Sequence, residues 1–134
     1  DFNNDDRYEI VTGPENGAPH VQMFNTLENS VKRLNPGFYA FHPTFGGGLS
    51  LTGGDVDGDG DEEIIVSQRT QGQAWVKVYN GQDQAILKTF LAYAPSFEGG
   101  AVVTAGDTDG DGKDEVMTMP GSGGSPQVRV FDVE

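Results

Sequence analysis

The sequence has no cysteine, only two histidines and one tryptophan, and eight lysines and arginines against 21 aspartates and glutamates. Without cysteine no disulfide framework is available. A net charge of −13 with no basic patch argues against nucleic acid as a partner. No apolar run in this sequence approaches the length of a membrane span, and any signal peptide is expected to have been removed or to lie outside it. His20 and His42 lie in no nucleophile or base motif, and the serines fall mostly in Gly-rich turns, so a nucleophilic triad has no visible parts. The expectation is a protein that is not an enzyme. Hydrophobic content of 35% with 20 Gly and 7 Pro suits short strands joined by many turns better than one compact core.

The sequence does contain acid in a fixed pattern. Residues 55–63 read Asp-Val-Asp-Gly-Asp-Gly-Asp-Glu-Glu, with carboxylates at loop positions 1, 3, 5 and 9 and Gly60 at position 6. Carboxylates at that density repel one another, and a hard cation relieves the repulsion. Calcium fits best, because it takes six to eight oxygens in irregular geometry whereas magnesium demands a tighter octahedron. Asp55, Asp57 and Asp59 are expected to give side-chain oxygens, Asp61 its backbone carbonyl, and Glu63 the closing carboxylate. Gly60 permits the sharp turn.

The loop occurs three times. Residues 107–115 read Asp-Thr-Asp-Gly-Asp-Gly-Lys-Asp-Glu and residues 1–9 read Asp-Phe-Asn-Asn-Asp-Asp-Arg-Tyr-Glu, so the loop starts are spaced 54 and 52 residues apart. The same roles then fall to Asp107, Asp109, Asp111, Lys113 and Glu115, and to Asp1, Asn3, Asp5, Arg7 and Glu9, giving up to three Ca²⁺. A period near 50 points to a propeller or an array. The three loops hold four, six and five acids, offset only by Arg7 and Lys113, and so carry the whole net charge; elsewhere six acids, Glu134 among them, meet six bases. The acidity is local and has an evident counter-ion.

An EF-hand loop would need an acid at position 12, where this chain has Thr12, Val66 and Thr118, and it would need flanking helices. Each loop instead runs into a short apolar stretch without helical period: Ile10-Val11, Ile64-Ile65-Val66 and Val116-Met117. No tandem nonapeptide of the β-helix type occurs. The loops therefore join strands.

With Phe45-Gly46-Gly47 and Phe97-Glu98-Gly99-Gly100 ahead of the loops, and Gly53-Gly54-Asp55 and Ala105-Gly106-Asp107 leading into them, nearly the whole chain resembles FG-GAP repeats, the blades of the integrin α-subunit propeller and of many bacterial surface and secreted proteins. The resemblance implies that each calcium loop links the first two strands of a four-stranded blade, and that calcium sits on one face of the propeller while loops on the opposite face meet partners. The first loop departs from the pattern at Asn3 and at Asp6, where Gly is usual, and ranks as the weakest site.

In chain order, strands are expected at 8–12, 20–25, 38–41, 48–53, 62–67, 74–80, 85–92, 101–105, 114–119 and 127–132. Residues 26–32 are left as a loop or a short helical turn, and Asn35-Pro36-Gly37 signals a turn. Alternation at 21–24, 76–79 and 128–131 places aromatics on the second face, as expected of a blade covered on both sides. The fold class is thus all-β, with about two and a half four-stranded blades: 1–41 lacking a first strand, 42–93 complete, and 94–134 lacking a last. Propellers close with four to eight blades. Either the chain is a fragment of a longer propeller or several chains assemble and share strands; a start at the first metal ligand points to truncation or processing.

The expected function is a calcium-binding module, its calcium structural, secreted or on the cell surface, that meets a protein or carbohydrate ligand through the face opposite the calcium. Asn16, His42, Arg69 and Gln71 are the polar groups on that face. One alternative is a building block of a head-to-tail oligomer or extracellular filament. Another is the non-catalytic part of a propeller enzyme acting on polysaccharide.

Overall fold

The structure is a computed structural model that describes residues 1–3 and 5–133; Asn4 and Glu134 lie outside it. Eleven strands form three antiparallel sheets, with no helix and no closed barrel among the described residues. The all-β, blade-like expectation holds. Among the described residues no helix is long and apolar enough to cross a membrane.

The second sheet is the complete one. Strands β5 (Leu49–Gly54), β6 (Glu63–Gln68), β7 (Trp75–Tyr79) and β8 (Ile86–Leu91) pair in sequence order, each antiparallel to the next. In the third sheet β9 (Ala101–Gly106) pairs with β10 (Glu115–Pro120), and β10 with β11 (Arg129–Phe131). In the first, β1 (Glu9–Thr12) pairs with β2 (His20–Leu27).

The outer strand of the first sheet departs from expectation. Residues 26–32 are neither a loop nor a helical turn: β2 runs on to Leu27, and β3 (Ser30–Arg33) folds back on it from Phe24↔Arg33 to Leu27↔Ser30. The expected strand at 38–41 is only β4 (Phe38–Tyr39), which pairs with His20 and Val21 of the same β2. One outer strand is therefore split in two, and residues 34–37 bridge the break. There Leu34 N–H donates to the Met23 carbonyl at 3.0 Å, and Asn35 Oδ1 accepts from Gly37 N–H at 2.8 Å.

Two apolar layers hold the sheets together, and β6 feeds both. Its residues alternate, so Ile64 and Val66 pack with Val21, Met23, Phe41 and Leu49 toward the first sheet. Ile65, on the other side, packs with Val76, Val78, Val103 and Val116 toward the third. Ile64, Ile65 and Val66 are all essentially inaccessible, which is why β6 reads as a continuous apolar run rather than an alternating one.

Hydrogen bonds knit the same seams. Tyr79 Oη donates to the Ala40 carbonyl at 2.7 Å, Ser67 Oγ to the Ala101 carbonyl at 2.7 Å, and Val103 N–H to Ser50 Oγ at 3.1 Å. Lys77 lies over the Phe41 ring, and Arg129 over the Tyr93 ring, at 5.1 and 5.0 Å. An inner-strand glycine permits close approach: a Cβ on Gly54 would stand 2.6 Å from Ala105 Cβ.

Candidate metal centres

Because neighbouring strands run antiparallel, the acidic loops joining β5 to β6 and β9 to β10 lie at one end of the sheets, with residues 5–8 leading into β1 at the same end. In the first loop Asp1 accepts from the N–H groups of Asn3, Asp5 and Asp6 at 3.3, 3.2 and 2.7 Å, while the second and third loops close by the same local hydrogen bonds as each other. The position-1 carboxylate accepts from the N–H groups at positions 4 and 6: Gly58 and Gly60 donate to Asp55 at 2.7 and 3.0 Å, and Gly110 and Gly112 to Asp107 at 2.6 and 3.1 Å. Those donors, Gly110 first and Gly112 next, hold the Asp107 carboxyl below the usual range, although burial opposes them slightly.

The closing glutamate caps position 2 in all three loops. Phe2 N–H donates to Glu9 at 2.9 Å, Val56 N–H to Glu63 at 3.1 Å and Thr108 N–H to Glu115 at 2.8 Å; the Thr108 hydroxyl also donates to Glu115. Position 6 adopts the left-handed conformation the sequence requires, with φ 94° at Gly60, 91° at Gly112 and 61° at Asp6.

Three carboxylate groups result. Asp1, Asp5 and Glu9, then Asp55, Asp57 and Glu63, then Asp107, Asp109 and Glu115 each offer oxygens within 4.8 Å of one another. Asp59 and Asp111 stand outside these groups; each accepts from the N–H two residues on, that of Asp61 at 2.9 Å and that of Lys113 at 2.9 Å. The Asp61 carboxylate accepts from Gln82 Nε2 at 2.6 Å, and the Lys113 chain lies against Gly58 of the neighbouring loop. In the first loop Asn3 Nδ2 donates to Glu9 at 3.2 Å, while Arg7 is exposed.

Glu63 shows what the arrangement lacks. Its side chain is wholly buried, and Oε1 has no hydrogen-bond partner. Burial above all, with Asp57, Asp59 and Asp55 adding repulsion against the single Val56 N–H, pushes its carboxyl up to about 7. A buried carboxylate oxygen facing two further acids is a donor set for a hard cation, and an all-oxygen set fits calcium.

Residues 55–118 match the family model of the FG-GAP-like repeat. Over that stretch the chain is similar to FG-GAP-type repeats. The matched stretch runs from the first residue of the second acidic loop through the third loop and into β10, so both full-pattern loops lie within it. No curated protein and no solved structure matches the chain.

The residues expected on the opposite face are placed there, at the other ends of the strands, but not as one cluster. Arg69 pairs with Glu15 at 2.6 Å, which ties the connection after β6 to the Asn16 turn after β1. His42 Nδ1 bonds within its own turn to Thr44 Oγ1 at 2.8 Å, and Gln71 is an exposed residue at φ 55°.

The position-8 acids, which sequence reasoning passed over, link the loops. Asp114 N–H donates to the Asp55 carbonyl at 2.7 Å, and Asp114 Oδ2 accepts from Asp55 N–H at 3.2 Å. Glu62 N–H reaches the Asp1 carbonyl at 3.5 Å, and its carboxylate lies 3.7 Å from the Asp1 amino group. A signal was available: Glu62 and Asp114 stand 52 residues apart, the spacing of the last two loops.

Proposed function

We propose that this chain is a calcium-binding FG-GAP repeat module in which calcium is structural. The observation that carries the reading is the unpartnered, buried Glu63 Oε1 beside Asp55 and Asp57. In the second loop Asp55, Asp57, Asp59 and Glu63, with the Asp61 carbonyl, would hold the ion. Asp107, Asp109, Asp111 and Glu115 with the Lys113 carbonyl would do so in the third, and Asp1, Asn3, Asp5 and Glu9 with the Arg7 carbonyl in the first. Bound calcium supplies the positive charge that lets these carboxylates coexist. The chain's own backbone N–H groups already orient Asp55 and Asp107, so the ion would complete preformed turns rather than create them. Metal binding then adds directly to folding stability.

Extracellular modules of this chemistry bind calcium at roughly 10⁻⁴ to 10⁻³ M, which suits millimolar calcium outside cells. That supports a secreted or surface protein. The module would meet a protein or carbohydrate ligand with the connections opposite the calcium, around Arg69, Asn16, Gln71 and His42. A non-enzymatic role fits the commitment of most acids to the loops and the placement of the two histidines: His20 packs at a tilt against Tyr39, and His42 is held by Thr44.

Thermal unfolding across a calcium titration, against chelator, tests the metal reading. The melting temperature should rise saturably. At a hundredfold excess over Kd the gain is about 2.7 kcal/mol per site, roughly ten degrees for a chain of this size. Glu63→Gln should remove the part due to the second loop. A melting temperature indifferent to calcium and chelator would refute it.

A further inference from the structure

The acidic loops of the second and third sheets are joined by a continuous run of backbone groups. Asp114 N–H donates to the Asp55 carbonyl at 2.7 Å, and Val56 N–H donates to Glu63 Oε2 at 3.1 Å. Each of these N–H groups shares a rigid peptide plane with the carbonyl of the residue before it. The Lys113 carbonyl is therefore locked to Asp114 N–H, and the Asp55 carbonyl to Val56 N–H. Two peptide planes, 113–114 and 55–56, thus span from the position-7 carbonyl of the third loop to the closing carboxylate of the second.

Both ends of that run are ligand positions. It starts at the carbonyl that would serve the third loop's ion. It ends at Glu63, which is wholly buried, with Oε2 held by Val56 and Oε1 without a partner. Two further contacts hold the planes in place. Asp114 Oδ2 accepts from Asp55 N–H at 3.2 Å, so one residue engages both backbone groups of Asp55. The Lys113 chain lies against Gly58, whose N–H donates to Asp55 Oδ1 at 2.7 Å. The same connection recurs one sheet earlier with a longer link: Glu62 N–H reaches the Asp1 carbonyl at 3.5 Å, and Phe2 N–H donates to Glu9 at 2.9 Å.

Resting on the calcium reading of these loops, we infer that the second and third loops bind calcium cooperatively, coupled through the peptides 113–114 and 55–56. Positive charge at the Lys113 carbonyl polarises its peptide and makes Asp114 N–H the stronger donor. That polarises the Asp55 peptide in turn, and Val56 N–H grips Glu63 Oε2 more firmly, leaving Oε1 directed to the second loop's own ion. Fixing plane 113–114 also removes part of the ordering cost that the second loop would otherwise meet alone. Each ion faces four carboxylates at the ligand positions of its own loop, which outweigh its two charges and shield it from the other ion. The coupling is reciprocal, so filling the second loop tightens the third by the same factor.

Calorimetric titration with calcium chloride, in an Asp5→Asn background that silences the first loop, tests the coupling. Asp57→Asn and Asp109→Asn each remove one exposed carboxylate, from the second and third loops respectively, and leave both peptides intact. The product of the two dissociation constants in the background chain should be at least about fivefold smaller than the product of the constants measured one loop at a time. In the Asp57→Asn chain the Val56 amide proton should move to lower field in step with that of Asp114 as the third loop fills, although its own loop stays empty. Sucrose is added to hold the chelated chain folded if circular dichroism shows it unfolded. Equal products, a larger product in the background chain, or a Val56 resonance that stays in place while that of Asp114 moves would each overturn the coupling and leave the calcium reading standing. No heat and no shift in any of these chains would overturn both.

Discussion

Asp114 grips the backbone of Asp55 from the next loop along: its N–H donates to the Asp55 carbonyl at 2.7 Å, and its carboxylate accepts from the Asp55 N–H at 3.2 Å. A residue of the third loop thus orients the first ligand of the second. Asp114→Ala removes the acceptor and leaves the part-buried Asp55 N–H unsatisfied, a loss of about 1 kcal/mol. It should also weaken calcium binding at the second loop without removing a ligand, as read by calorimetric titration. Glu62→Ala, at the exposed equivalent, should cost less. Equal losses from the two variants would contradict this ordering.

Glu63 makes the metal-free protein sensitive to pH. Below pH 4.5 the group carries its proton in both folded and unfolded chains; between 4.5 and about 7 only the folded chain keeps it. The unfolded state then binds fewer protons, so this contribution to stability falls as pH rises through that window and is flat above it. In chelator, calorimetry should show a melting temperature that drops between pH 5 and pH 7.5. Glu63→Gln should abolish that part of the drop, and saturating calcium should oppose it by favouring the ionised form.

Tyr79 bridges the first two sheets. Burial pushes its hydroxyl up to about 12, and it donates to the Ala40 carbonyl at 2.7 Å. Tyr79→Phe keeps the ring against Phe38 and removes the donor, so urea denaturation should report a loss of about 1 to 2 kcal/mol with an unchanged m-value. A neutral result would mean that water takes the place of the hydroxyl at Ala40.

Gly48 and Gly123 separate backbone strain from crowding. Both have positive φ, 72° and 82°, but a Cβ on Gly48 would fall 1.9 Å from the Glu15 carbonyl oxygen, while nothing lies within 4 Å of one on Gly123. Gly123→Ala should cost the left-handed penalty alone, about 1 to 2 kcal/mol. Gly48→Ala must also push apart the first and second sheets, and should lose clearly more in the same denaturation assay.

The acidic loops were legible because ligand position, turn glycine and following strand are local properties of nine to fifteen residues. Asp55, Asp57 and Glu63 come together as their spacing implies. The burial of β6 on both faces was legible too, since Ile64-Ile65-Val66 leaves no polar side for solvent. The hairpin of β2 and β3 was not. All four residues of β3 are exposed and, Val31 apart, polar, and only pairing with β2 defines them as strand. Nor could the chain announce that its outer strand breaks at residues 34–37, because both halves take their register from the same β2.

By itself, then, the sequence determined the strand-forming class, the period of the repeats and the set of acids in each loop, since each rests on side-chain type at short spacing. Tertiary structure alone decided which atoms are short of partners and which loops speak to one another. Glu63 Oε1 is orphaned because sheets close over it, and Asp114 reaches Asp55 because adjacent sheets bring together residues 59 positions apart. Burial and non-local contact are properties of the packed sheets, and no window of sequence contains them.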